Sequence, residues 1–100
     1  MSKLNAVARS HRIVELLAGR YFDGAANKEL AEELHTIAVN ISRDLAQLER
    51  IGYARKLENG RWALTAKPLA VMQSFTTHYQ NTQSRLAEAG RNILATSLRD

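Results

Sequence analysis

Between residues 27 and 53 the apolar pattern changes helical phase once, and that break constrains the fold more than any other feature of the chain. Leu30, Ala31 and Leu34 line one helical face, Ile37, Ile41, Leu45 and Leu48 line a second, and only His35-Thr36 separates the two sets. Two short amphipathic helices joined so closely read as a helix-turn-helix, the motif whose second helix can enter the major groove of DNA.

The residues before this pair supply a third helix and a turn. Over residues 5 to 19, Ile13, Leu16 and Leu17 share an inward face, with Arg9, Arg12 and Arg20 outside it or at its edges, and Gly19 is placed to end the helix. In Tyr21-Phe22-Asp23-Gly24 the glycine tolerates positive φ, and both aromatics are expected to cover the open end of a three-helix core. Asn27 is expected to N-cap the second helix, and Glu29 and Glu32 follow in its first turns, where the macrodipole favours carboxylates. The third helix should run from residue 37 or 38 to 51 and stop at Gly52.

With Ile41 marking the core direction, 100° per residue puts Val39, Arg43 and Arg50 on the opposite face, flanked by Thr36, Asn40, Ser42, Ala46 and Gln47. Asn and Gln can bridge the N6 and N7 edges of adenine and Arg the O6 and N7 edges of guanine, so this face has the chemistry to read bases. The same composition also suits a solvated helix face. Asp44 falls near the core border, where Arg12 or Lys28 is the expected partner.

Two extended runs, residues 53 to 57 and 61 to 65, flank Asn59-Gly60, a pair that predicts a two-residue type I′ hairpin. Trp62 and Leu64 share a face and should close the core, while Arg55, Lys56 and Arg61 decorate the ribbon, whose tip is expected to meet phosphates. Charge supports this arrangement. Residues 50 to 67 hold five cations against one acid and residues 1 to 22 four against one, whereas residues 23 to 49 hold two against six, so the basic excess flanks the helix-turn-helix.

The runs Arg12-Ile13-Val14-Glu15-Leu16-Leu17-Ala18, Glu29-Leu30-Ala31, Leu45-Ala46-Gln47-Leu48-Glu49-Arg50-Ile51-Gly52-Tyr53 and Asn59-Gly60-Arg61-Trp62-Ala63-Leu64-Thr65 resemble the successive signatures of the IclR-type winged-helix DNA-binding domain. The resemblance covers roughly residues 9 to 66. It implies a bacterial or phage transcription regulator that binds double-stranded DNA, with Val39, Asn40, Ser42 and Arg43 at positions that touch bases and phosphates. The chain departs from the family at the turn, where His35-Thr36-Ile37-Ala38-Val39 replaces Gly-Leu and a Ser/Thr-rich helix start. No counterpart of the family's large ligand-binding domain follows, so no small-molecule effector is expected.

From Pro68, suited to the first turn of a helix, Met72, Tyr79, Leu86 and Ile93 recur every seven residues, with Phe75, Thr82, Ala89 and Thr96 three residues after each. This a/d seam predicts a dimerising helix in which Met72, Phe75, Tyr79, Leu86 and Ile93 meet a second copy, the alternative being a helix folded back on its own domain. Thr76-Thr77, Asn81-Thr82 and Gly90 are poor helix formers, which leaves a bend open.

Other chemistry is lacking. The chain has no cysteine, His11, His35 and His78 have no metal-ligand spacing, and there is no glycine-rich phosphate loop, so no enzyme, metal or cofactor is expected. No apolar run is long enough to span a bilayer, and the N-terminus has no stretch of signal-peptide length, which fits a cytoplasmic protein. The sequence therefore predicts a mainly α chain with a small β-hairpin. Residues 1 to 67 would form a winged helix-turn-helix and residues 68 to 100 a helical extension, acting together as a homodimeric transcription regulator on duplex DNA. The alternative is a protein-interaction adaptor built on the same scaffold.

Overall fold

The computed structural model describes residues 4 to 99; residues 1 to 3 and Asp100, with the parts of the terminal readings that fall on them, lie outside the described residues. Helices α1 (Ala6–Ala18), α2 (Asn27–Glu33) and α3 (Ala38–Arg50) are followed by strands β1 (Ala54–Lys56) and β2 (Trp62–Leu64) and by helix α4 (Lys67–Arg99). Two compact units result, Met1–Pro68 and Leu69–Asp100.

In the first unit the three helices and the hairpin enclose one core. Ile13 and Leu17 of α1, Leu30 of α2, Ile41 and Leu45 of α3 and Leu64 of β2 are fully buried, each from the face that its helical or strand period selects. Burying a side chain of this kind contributes about 1.5–3 kcal/mol, so the phase of the apolar pattern and the phase of the fold coincide. Tyr21 packs against this core, but Phe22 does not. It stands 85% exposed and meets Tyr21 edge to face, so one aromatic covers the core where two were expected.

Caps fix the helix ends. Asn5 caps α1 by accepting from the Ala8 N–H at 2.9 Å. At α2 the expected cap is displaced by one residue. Ala26 is the N-cap, the Glu29 carboxylate accepts from its backbone N–H, and Asn27 begins the helix with its amide turned to the Ser42 hydroxyl. Helices α2 and α3 end alike, in Schellman motifs. The Thr36 N–H returns to the Ala31 carbonyl as the Tyr53 N–H returns to that of Leu48, and the left-handed residue is His35 (φ 52°) in one case and Gly52 (φ 83°) in the other.

The hairpin pairs Ala54 with Leu64, Arg55 with Ala63 and Lys56 with Trp62. Its turn is not type I′. Among non-glycine residues described, only His35 has positive φ, so Asn59 does not take the required conformation. Glu58-Asn59-Gly60 instead form a three-residue loop, in which the Gly60 N–H returns to the Leu57 carbonyl and Gly60 (φ 86°) takes the single left-handed position. Trp62 also exchanges both backbone hydrogen bonds with Ala25, each 2.8 Å long, which ties the α1–α2 connection to the hairpin. Gly24 (φ 69°) makes that approach possible, because a Cβ there would lie 2.1 Å from the Trp62 carbonyl oxygen.

Helix α4 is continuous over 33 residues, about 50 Å at 1.5 Å per residue, and runs through Gly90. The Thr65 hydroxyl accepts from the Lys67 N–H at its start. Phe75 and Tyr79 stack one turn apart on the predicted seam. No helix among the described residues is long and apolar enough to cross a membrane.

Candidate nucleic-acid interface

Helix α3 is held against the core by Ile41, Leu45 and Leu48, and this fixes what its other side presents. Val39, Ser42, Arg43, Ala46, Gln47 and Arg50 are exposed, while Thr36 and Asn40 are half-buried. Three of the expected readers are engaged within the protein. The Asn40 amide donates to the Thr36 hydroxyl at 2.8 Å, and the Ser42 hydroxyl accepts from the Asn27 amide at 2.6 Å. Arg43, Gln47 and Arg50 remain exposed on the same helix.

Three of the five acids of the helix-turn-helix are paired within the protein, while Glu32 and Glu49 stay exposed. Asp44 is 4% exposed and takes two guanidinium hydrogen bonds from Arg9, from Nε and, at 3.0 Å, from Nη2, so its partner is neither Arg12 nor Lys28. The same contact holds the Arg9 guanidinium above its ordinary pKa and places Arg9 at the α1–α3 junction, largely buried. Arg12 pairs with Glu15 along its own helix, and Arg20 pairs with Glu33, which raises the Arg20 pKa.

The hairpin changes the expectation most. Arg61 does not reach outward. Its Nη1 donates to the Glu29 carboxylate at 2.7 Å, its Nε to the Asp23 carbonyl and its Nη2 to the Gly24 carbonyl, so it fastens the wing to α2 and to the preceding turn. Arg61, followed by the Ala26 N–H, holds the Glu29 carboxyl below the usual glutamate range. The loop tip carries Glu58 and no cation, and the basic side of the hairpin is therefore β1. There Arg55 is anchored through Nε to the Leu64 carbonyl, and the Lys56 ammonium lies 6.0 Å from the centroid of the Trp62 ring. Arg43, Arg50, Arg55 and Lys56 have no carboxylate partner among the described residues.

One cation outside the predicted set also has a defined position. Lys67 caps α3 by donating from Nζ to the Ile51 carbonyl, with Tyr53 5.7 Å beneath it. Its place just before Pro68 gave no sequence signal for a role sixteen residues back. Among the described residues no group of three or more His, Asp or Glu side chains is placed to hold a metal ion. The seam residues Met72, Phe75, Tyr79, Leu86 and Ile93 are each more than half exposed.

Comparison with solved structures agrees with this arrangement. Wild-type ZitR from Lactococcus lactis aligns with 91% of the chain at 25% identity and a TM-score of 0.54. A point mutant of the same Lactococcus lactis protein aligns with 92% at 22% identity and a TM-score of 0.50, a likeness of fold alone. The fold is a winged helix-turn-helix. The match takes in the three helices, the wing and the long C-terminal helix, yet the chain spans only 61% to 63% of the ZitR chains. No family model and no curated protein matches the chain, so the IclR-type spacing brings no family assignment.

Proposed function

We propose that the chain is a DNA-binding winged-helix regulator, with α3 in the major groove of a duplex and β1 against the flanking phosphates. The observation that carries this reading is the outer face of α3. Arg43 and Arg50 stand there without carboxylate partners among the described residues, while Asp44 of the same helix is buried against Arg9. Arg43 and Gln47 would meet base edges, and Arg50, Arg55 and Lys56 would meet phosphates. Thr36, Asn40 and Ser42 would set the entry angle of α3 through their bonds within the protein, and Arg61 would hold the wing in place. The exposed seam of α4 would pair with a second copy, which presents two modules to two half-sites. The likeness to the ZitR fold supports the reading at the level of architecture.

The test is the salt dependence of duplex binding. Each phosphate neutralised on B-DNA contributes about −0.9 to the slope of log affinity on log salt, so Arg50, Arg55 and Lys56 together give about −2.7 per module and twice that for a dimer. Absence of duplex binding at low salt would remove this reading in favour of a protein-binding adaptor.

A further inference from the structure

Val39 lies on the outer face of α3, about 160° around the helix from Ile41, and is 53% exposed. A single exposed valine is ordinary on most surfaces. Here its neighbours on the same stripe are Arg43, Ala46, Gln47 and Arg50, all exposed. The polar side chains nearest to it are committed elsewhere: Asn40 is half-buried on Thr36, and the Ser42 hydroxyl is held by Asn27. The start of α3 therefore offers the major groove an apolar surface with a guanidinium one turn further on.

The groove has one apolar feature that distinguishes bases, the 5-methyl group of thymine, and it is read by an apolar side chain in van der Waals contact. Arginine pairs with the O6 and N7 atoms of guanine. Four residues along a helix advance about 6 Å, one to two base steps of about 3.4 Å. We propose that Val39 packs against the 5-methyl group of a thymine in the major groove, one or two base pairs from a guanine held by Arg43. This proposal rests on the DNA reading above and names the chemistry by which that face selects its site. Val39 is then a specificity-determining residue whose contribution is hydrophobic.

Replacement of thymine by deoxyuridine removes the methyl group and leaves every hydrogen-bonding atom of the base pair in place. The 100-residue chain is used to select a tight-binding duplex from a random pool. Each thymine of that duplex is then replaced in turn by deoxyuridine. Loss of one buried methyl should weaken binding about three- to fourfold at one thymine per half-site. Val39→Ser, a change at an exposed position in the first turn of a helix, should abolish the thymine–deoxyuridine difference at that position and leave thermal stability as in the wild type. A wild-type chain that binds the duplex but tolerates deoxyuridine at every position overturns the proposal. So does a Val39→Ser chain that keeps the difference, because another side chain then covers the methyl. Failure of the wild type to bind any duplex overturns the DNA reading itself, and this proposal with it.

Discussion

Arg9 and Asp44 join the first turn of α1 to the middle of α3, and the structure sets the cost of breaking them apart. Asp44 is 4% exposed and the Arg9 side chain 12%, with two hydrogen bonds between them. Arg9→Ala leaves a carboxylate at that depth without its cation, a loss of about 3–5 kcal/mol for a buried pair. Arg9 lies at the rim, so water reaches part of the vacated space and the lower end, about 3 kcal/mol, is expected. A unit the size of Met1–Pro68 has on the order of 3–10 kcal/mol in total, so this is roughly 30% of its stability or more. At about 4–8 °C per kcal/mol, the midpoint should fall by about 12–24 °C. The fluorescence of Trp62, the only tryptophan and one packed against the core, reports the transition. Arg9→Met combined with Asp44→Leu should recover most of the loss, because no unpaired charge is then buried. A shift under about 4 °C for Arg9→Ala, or a double variant no more stable than the single one, would show that packing around the pair, and not the pair itself, fixes the α1–α3 junction.

Other parts of the molecule give equally direct tests. His35→Gly should raise stability by up to about 1 kcal/mol in thermal melts, since the left-handed conformation costs a residue with a side chain roughly 1–2 kcal/mol and glycine returns part of that through its freer unfolded chain; a loss would mean that the imidazole makes a compensating contact. The carboxyl of Glu29 has its pKa lowered by Arg61, so its contribution is present above the unfolded glutamate value, about 4.3, and is lost as pH falls through the lower folded value. Midpoints measured between pH 6 and 3 should therefore fall less steeply in Glu29→Gln, and parallel curves would show that the Arg61 contact carries no linkage. On α4, Leu86→Glu should convert a sedimenting dimer into a monomer and leave the Trp62 transition unchanged; a wild-type chain that sediments as a monomer well above DNA-binding concentrations would remove the two-half-site arrangement.

What the sequence disclosed follows from how local each signal is. The phases of Ile13 with Leu17 and of Ile41 with Leu45 and Leu48 are set within one helix, so the period alone located their buried faces. Gly24 and Gly52 announced left-handed positions for the same reason, since the backbone need was local and the residue type met it. His35 occupies such a position with no residue type to mark it, and Asn59-Gly60 suggested the wrong turn because a glycine also serves the longer loop. The Ala25–Trp62 bridge involves a single residue pair and leaves no periodicity to detect.

The candidate site was harder to read because a linear count treats every arginine alike, whereas folding assigns partners. Arg9 reaches Asp44 across 35 residues and Arg61 reaches Glu29 across 32, separations at which several arginines were equally available to either acid. The outcome alters the meaning of the charge pattern. Three of the six acids in the middle segment, residues 23 to 49, are taken up by cations from both basic flanks: Arg9 and Arg20 from one side and Arg61 from the other hold Asp44, Glu33 and Glu29. The basic flanks therefore serve in good part to hold the helix-turn-helix together, not to grip a polyanion. What remains positive is a narrower surface made of Arg43 and Arg50 on α3 with Arg55 and Lys56 on β1, and it depends on the fold that buries Asp44 of the same helix against Arg9. On the proposed DNA-binding reading, a field confined to one helix face and one strand would orient a duplex more strictly than the same net charge spread over the surface, because rotation of the module would move its few unpaired cations off the phosphates.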